Sequence, residues 1–444
     1  MGKVVFTLPI FYIYFCDPLN RICSLLLLSS RLALHAKRKG ENKMSANMEQ
    51  KWSLANKQGV SLFLVLSNIF IAFLGIGLVV PVMPSYMKQL QLNGAVMGYL
   101  FSVFAFAQLI FSPITGVWVD KVGRKKMMVL GLLLFSFAEF LFGIGNGVGM
   151  LFTSRILAGF SAACIMPAVT AFIADITTME QRPKAFGFLS AAISGGYIIG
   201  PGIGGFIADF GLRVPFFFAS AIGLMAAILS LTILKEPLSA AKRNEMIANK
   251  IKTSFMQEMK KSFQPLYFVP FIIVFILAFG LSSYEMMLGL FVSNKFGFTP
   301  KEISGIITVS GVLGVVVQVI FFNKLVKTFG EIKLIQANFA LAAVFIFLSI
   351  FVEGFWIISA VTFVVFLTCG LLRPAVTSML STLAADKDQG FVAGMNSTYT
   401  SLGNIIGPAL AGILIDLNIN LPYSLAAFVL LSGFAVSFML GAKK

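Results

Sequence analysis

Acidic side chains are scarce in the long apolar stretches of this chain, and Glu139 and Glu285 fall near the middle of two of them. Asp175, Asp209 and Asp416 lie nearer the ends of theirs, and two arginines, Arg155 and Arg373, also lie inside. A charge placed in hydrocarbon is costly, so each such residue is a functional candidate by default. A carboxyl withdrawn from water holds its proton more readily and can load and release one near neutral pH. The same carboxylate facing a cavity attracts a cation. Competition between a proton and an organic cation for one acid exchanges the two without further machinery. Tyr284, Met286 and Met287 flank Glu285, and aromatic and Met side chains make adaptable walls for varied ligands. The plainer alternative is a structural hydrogen bond, and for Glu139 that reading is the stronger one. Arg155, near one end of its stretch, also fits snorkelling. The only histidine, His35, lies outside the apolar stretches. A proton relay there must therefore use carboxylates, arginine, tyrosine or water. Cys16, Cys23, Cys164 and Cys369 show neither metal spacing nor an extracellular pairing pattern. No metal site, cofactor or catalytic residue is expected.

The elements that must position these groups are membrane spans. The 444 residues are 58% hydrophobic and only 12% charged, with mean hydropathy +0.91. Lipid is the natural solvent for such a chain, and runs of about 20 apolar residues are its spanning unit. Backbone groups in lipid must pair internally, so the spans are helices, and the alternation of a β-barrel is absent. Twelve spans are predicted, at roughly 60–83, 95–118, 127–145, 149–174, 184–208, 214–234, 266–292, 303–323, 333–352, 355–381, 391–415 and 421–441.

The spans are duplicated. Ile198–Asp209 (IIGPGIGGFIAD) and Ile405–Asp416 (IIGPALAGILID) lie 207 positions apart. The same offset pairs Pro167-Ala168-Val169-Thr170 with Pro374-Ala375-Val376-Thr377, Gly187 with Gly394, Ser194 with Ser401, Gly196 with Gly403 and Pro215 with Pro422. It maps the fourth, fifth and sixth spans onto the tenth, eleventh and twelfth. Two parallel six-helix halves, 60–234 and 265–441, follow, with a transport path at their seam. Each chain encloses a full path, so a monomer is expected. A cytoplasmic linker, 235–264, joins them and carries seven basic residues from Lys235 to Lys261. A basic amphipathic helix along the anionic leaflet is expected within it. Residues 1–59 form an N-terminal extension, of which 1–43 reads as a mis-assigned start or as an interfacial segment.

The formal charge of +16 is explained by topology rather than by a nucleic-acid face. Lys88, Arg213, Lys295 and Lys301 fall in odd-numbered loops, whereas nearly all other Lys and Arg outside the spans fall in even-numbered loops and at the termini. That bias puts both termini in the cytoplasm.

Four motifs stand on this frame. Between the second and third spans, Gly116, Asp120, Gly123 and Arg124 stand in G-x-x-x-D-x-x-G-R-K-K. Its glycines permit a tight turn and close helix approach, and its acid can pair with a basic residue or cap a helix. The equivalent loop of the second half keeps Asn323-Lys324 and Gly330 but has no acid at 323. Leu151–Ala163 carries Arg155. The fifth span has Gly195-Gly196, Gly200-Pro201 and Gly204-Gly205; small residues at this spacing let helices pack closely, and Pro201 permits a bend. The first span reads FLGIGLVVPVMP, the seventh FGLSSYEMMLGLF, and LLRPAVTSMLS and GMNSTYTSLGNIIGP follow in the tenth and eleventh.

With these motifs the chain resembles the major facilitator superfamily, and within it the Bmr/NorA-type multidrug exporters of Gram-positive bacteria, over roughly 60–440. The resemblance implies an all-α fold of twelve transmembrane helices in the cell membrane of a bacterium. It implies proton-driven efflux, by alternating access, of bulky and often cationic amphipathic drugs and dyes. It puts Glu285 at the group's seventh-span acid and Arg373 at its tenth-span arginine. Phe73, Ile76, Phe104, Gln108, Ile193 and Phe366 fall at cavity-lining positions, although packing is the better reading of each apolar one taken singly. One departure matters: the group carries an aspartate three residues before the arginine, and here that position is Gly370. Glu285 then works alone, or Glu139 substitutes. Other readings are an exporter of a narrower substrate, such as a polyamine or sugar, or a transport-inactive sensor. An intramembrane enzyme would need a nucleophile–base or metal constellation in the spans, and a nucleotide-driven pump a phosphate-binding loop. The sequence displays neither.

Overall fold

The computed structural model describes residues 42–239, 241, 243, 255–383 and 388–440. The chain divides into two units, 1–62 and 63–444, and of the first only the leading part of a helix, from residue 42, is described. The start-site reading of 1–43 therefore falls almost wholly outside the described residues.

Among the described residues there are fourteen α-helices and no strand. They are α1 (Asn42–Val79), α2 (Met83–Gln89), α3 (Gly94–Val122), α4 (Arg124–Ile144), α5 (Val148–Ile176), α6 (Arg182–Ile207) and α7 (Val214–Ile233). Then follow α8 (Phe255–Ser262), α9 (Pro265–Phe296), α10 (Pro300–Phe329), α11 (Glu331–Leu348), α12 (Phe355–Leu383), α13 (Gln389–Leu417) and α14 (Leu421–Ser437). Twelve helical stretches are long and apolar enough to cross a membrane, and each falls on one of the expected spans.

The helix ends have local causes. Gly123 at φ 115° and Gly330 at φ 79° turn the chain between consecutive spans, a backbone region that costs glycine nothing. α9 stops at Gly297 in the left-handed conformation, and Thr299 with Glu302 forms a reciprocal capping box that starts α10. The first span ends at Val79, short of the expected 83, since Pro81 and Pro84 cannot continue a helix. The chain then forms α2, where buried Tyr86 donates its hydroxyl to the carbonyls of Phe142 and Gly145, both at 2.9 Å. Burial pushes that hydroxyl above its ordinary pKa, against the pull of Arg213.

The duplication is visible in the packing. Within the first half α4 packs on α5 and α7, and α3 on α5; within the second α11 packs on α12 and α14, and α10 on α12. The halves meet through α3 against α13 and, by the same symmetry, α6 against α10. Of the linker, the described part beyond residue 254 contains α8, with Lys260 and Lys261 in its last turn; Lys261 pairs with Asp388 at 2.6 Å. Whether a longer amphipathic helix precedes it concerns residues outside the described ones.

Candidate functional site

Glu285 on α9 and Arg373 on α12 come together, Arg373 Nη2 donating to Oε1 at 2.8 Å and to Oε2 at 2.9 Å. Both residues lie well inside their helices. The Arg373 side chain is nonetheless 58% exposed and that of Glu285 22% exposed. The pair faces open space rather than helix packing, so its charges remain available to a mobile partner. Tyr197 on α6 stands close enough to feel both charges. It is exposed, and its ring lies 5.1 Å from that of Phe73. The two rings come from the first half and the ion pair from the second. Sequence reasoning passed over Tyr197; the one phenol within the glycine-rich GGYIIG segment was the available signal.

The other expected wall residues divide. Phe73, Ile76, Phe104, Gln108, Ile193 and Phe366 are all half-buried, partly open and partly packed. Tyr284 does not belong with them. It is fully buried in the core of the second half, its hydroxyl donating to Thr362 at 3.2 Å and its ring edge-on to Tyr423. Successive helical residues point about 100° apart, so a helix that aims Glu285 at open space turns Tyr284 into the packing. Met287 is likewise fully buried, within a cluster shared by Tyr86, Leu100 and Ile415. At Gly370 an added Cβ would meet only the Gln318 side chain, at 3.4 Å.

The motif around Asp120 builds an ionic cluster. Arg124 is 2% exposed and pairs with Asp175 at 2.8 Å and Asp120 at 3.5 Å. Glu236 caps the start of α4, accepting from the amides of Arg124 (2.8 Å) and Lys125 (3.1 Å). At Gly123 a Cβ would lie 2.6 Å from the Glu236 carboxylate, which would have to shift, and the positive φ of 115° already favours glycine there. Gly116 has nothing within 4 Å of such a position, so close approach is not its role. Glycines of the fifth-span motif do what their spacing suggests. Gly200 and Gly204 pack on the backbone of α1 at Leu74 and Leu78, with Pro201 against Gly77. Gly403 and Gly407 pack on α9 in the same way. Arg155, a functional candidate that also fitted snorkelling, pairs with Glu139 at 2.9 Å.

One end of the bundle is closed between the halves. The Asp416 carboxylate at the end of α13 accepts from the amides of Gly94 (2.7 Å) and Ala95 (2.8 Å) at the start of α3. Below it α3 and α13 are in backbone contact: a Cβ on Gly98 would lie 2.9 Å from Gly412 Cα. Lys301 near the start of α10 and Asp209 in the turn after α6 pair at 3.5 Å. No group of three or more His, Cys, Asp or Glu among the described residues could hold a metal ion.

Comparison with known proteins places this geometry. The Major Facilitator Superfamily model matches residues 65–320 and 270–443. Multidrug resistance protein 2 of Bacillus subtilis strain 168 is 55% identical over 389 residues, covering 88% of this chain and 97% of that protein. Multidrug resistance protein 1 of the same organism is 50% identical over 381 residues, covering 86% and 96%. The quinolone resistance protein NorA of Staphylococcus aureus strain Mu50 is 41% identical over 386 residues, covering 86% and 96%. Among solved structures, a bacterial homologue of the lysosomal transporter Spinster in an inward-facing, occupied conformation superposes with TM-score 0.71 at 14% identity, over 87% of this chain and 97% of its own. The nucleoside transporter NupG does so with TM-score 0.72 at 13% identity, over 86% and 99%. At these identities the structures share the fold alone.

Proposed function

This chain belongs to the Major Facilitator Superfamily, and from that membership we propose that it exports bulky amphipathic, often cationic, drugs and dyes in exchange for protons. The observation that carries the mechanism is the Glu285–Arg373 pair, a carboxylate held within its helix yet open to space beside Tyr197 and Phe73. The drug class rests on the multidrug resistance relatives, which match nearly their whole length.

In this reading the six-helix halves, 60–234 and 265–441, rock about a central cavity. Glu285 and Arg373 lie at its floor, and Phe73, Ile76, Phe104, Gln108, Ile193, Phe366 and Tyr197 form its walls. A cationic drug displaces Arg373 as the partner of Glu285. After reorientation a proton takes the carboxylate, the cation loses its partner and leaves, and the proton is discharged on the other side. The Asp120–Arg124–Asp175 cluster ties three helices of the first half together, and the Asp416 contact holds one end closed between the halves in one of the alternate states. The protein works as a monomer in the bacterial cell membrane with both termini in the cytoplasm, as the Lys and Arg bias favours.

The test is Glu285→Gln, which keeps the shape and removes the titratable charge. The variant is expected to reach the membrane at wild-type level and to lose ethidium efflux driven by a pH gradient. Full retention of that efflux would remove Glu285 from the exchange.

A further inference from the structure

The mechanism above leaves one ionised pair unused. Glu139 on α4 and Arg155 on α5 are 1% and 7% exposed, and meet at 2.9 Å between Oε1 and Nη2. The guanidinium also lies over the Phe142 ring, 4.2 Å from its centre. Glu139 Oε2 and Arg155 Nε are buried and make no hydrogen bond to the described protein. A small cavity adjoins them, bounded also by Ala72, Ile76, Phe104 and Phe135, with about 20 Å³ of room for the centre of a water. One water needs roughly 10–15 Å³ on that measure.

Adhesion does not account for the pair. Withdrawing two ions from water costs several kcal/mol each, recovered only when the remaining lone pairs and protons are satisfied. Here one acceptor and one donor are left over. The α4–α5 contact is already held without charge, by Ser154 donating to the Ala138 carbonyl and Ser161 to that of Gly131, both at 2.7 Å. The cavity gives the leftover oxygen a way out. Ile76 and Phe104 bound it and are only half-buried, and the proposed function puts both on the wall of the central cavity.

We propose that Glu139 is a second proton-binding site, receiving on Oε2 a proton from the central cavity that is relayed through a water held between Ile76 and Phe104, the water being left neutral. On protonation the carboxyl becomes neutral and Arg155 keeps its charge against the face of Phe142. Arg155 is the one charged group facing Glu139 among the described residues. α1 and α3 bring only apolar groups to the cavity, and on α7 the Ser220 carbonyl accepts from the Ser136 hydroxyl at 2.8 Å. The site gives the first half the second acid that Gly370 denies the second half. This rests on the proton-exchange reading given above.

Charge movement tests it. Two protons exchanged for one ethidium cation move one net charge per cycle. One proton for one cation moves none. The purified full chain is reconstituted and the limiting ethidium gradient measured under an imposed pH difference, with and without a potential negative on the side the dye leaves. For the wild type about 59 mV is expected to raise the gradient tenfold. In Glu139→Gln the gradient is expected to follow the pH difference alone. A wild-type gradient indifferent to potential overturns the proposal, whether or not the variant folds. So does a Glu139→Gln protein that responds to potential as the wild type does. Retained pH-driven transport in Glu285→Gln is a separate failure, of the exchange reading at Glu285. Wild-type protein that moves no ethidium under either gradient removes both.

Discussion

Removing the Asp416 carboxylate is expected to open the end of the bundle that it closes. Its two oxygens satisfy the first two amides of α3 at 2.7 and 2.8 Å, at the positive end of that helix's dipole. α3 belongs to the first half and α13 to the second, so the contact exists only while this end is shut. A hydrogen bond to a charged group contributes about 1.5–3 kcal/mol, and a charge at a helix terminus about 0.3–1 kcal/mol. Asp416 is exposed, so solvent screening brings the two bonds and the dipole together below their sum, to about 2 kcal/mol. That is roughly a 25-fold shift in the closed-to-open ratio. Asp416→Ala should give the full shift. Asp416→Asn, which keeps one acceptor and loses the charge, should give about half in free energy. Spin labels at the exposed positions Lys88 and Asn418 report the two populations by pulsed distance measurement in the dye-free protein. A closed fraction in Asp416→Ala within twofold of wild type would refute the latch. Gly98→Leu is a second route to the same opening, since its side chain enters the backbone contact with Gly412.

Arg124→Ala strips the buried partner from Asp175 and is expected to lower stability by about 3–5 kcal/mol, seen as a lower melting temperature and lower yield. Gly370→Asp should fold normally, since only the Gln318 side chain stands near. Its carboxylate, one turn from Arg373, should raise efflux of a doubly charged dye relative to a singly charged one. Tyr86→Phe loses the donor to two carbonyls and should cost about 1–3 kcal/mol. Because the folded state holds the Tyr86 proton more tightly, that stabilisation is present below the ordinary tyrosine pKa of 10.0 and declines as pH rises above it. The melting-temperature gap between wild type and variant should therefore narrow above that pH.

The spans were legible because hydropathy reports contact with lipid, and the duplication because both halves keep the same small residues where helices touch. Helix ends were less so. α3 runs on through Asp120 and Lys121, and α10 to Phe329, because an apolar count stops where the bilayer does while a helix stops at its cap. The Glu285–Arg373 pair spans 88 positions, and only a resemblance to known transporters put both residues at one site. Tyr284 was misplaced because adjacency to Glu285 in sequence was taken for adjacency in space. Glu139 and Arg155 were each recognised as costly, but composition alone could not show that a tight hairpin makes them partners. Asp416 showed only as an acid near a span end. Its partner lies 322 positions away in the other half, and backbone amides leave no trace in a residue pattern.

The central claim, proton-driven drug export, is tested most directly by ethidium efflux from vesicles or cells containing the chain, with and without a protonophore. Efflux that collapses when the proton gradient is removed is the predicted result. Efflux that continues undiminished, or correctly inserted protein that moves no ethidium at all, would contradict it.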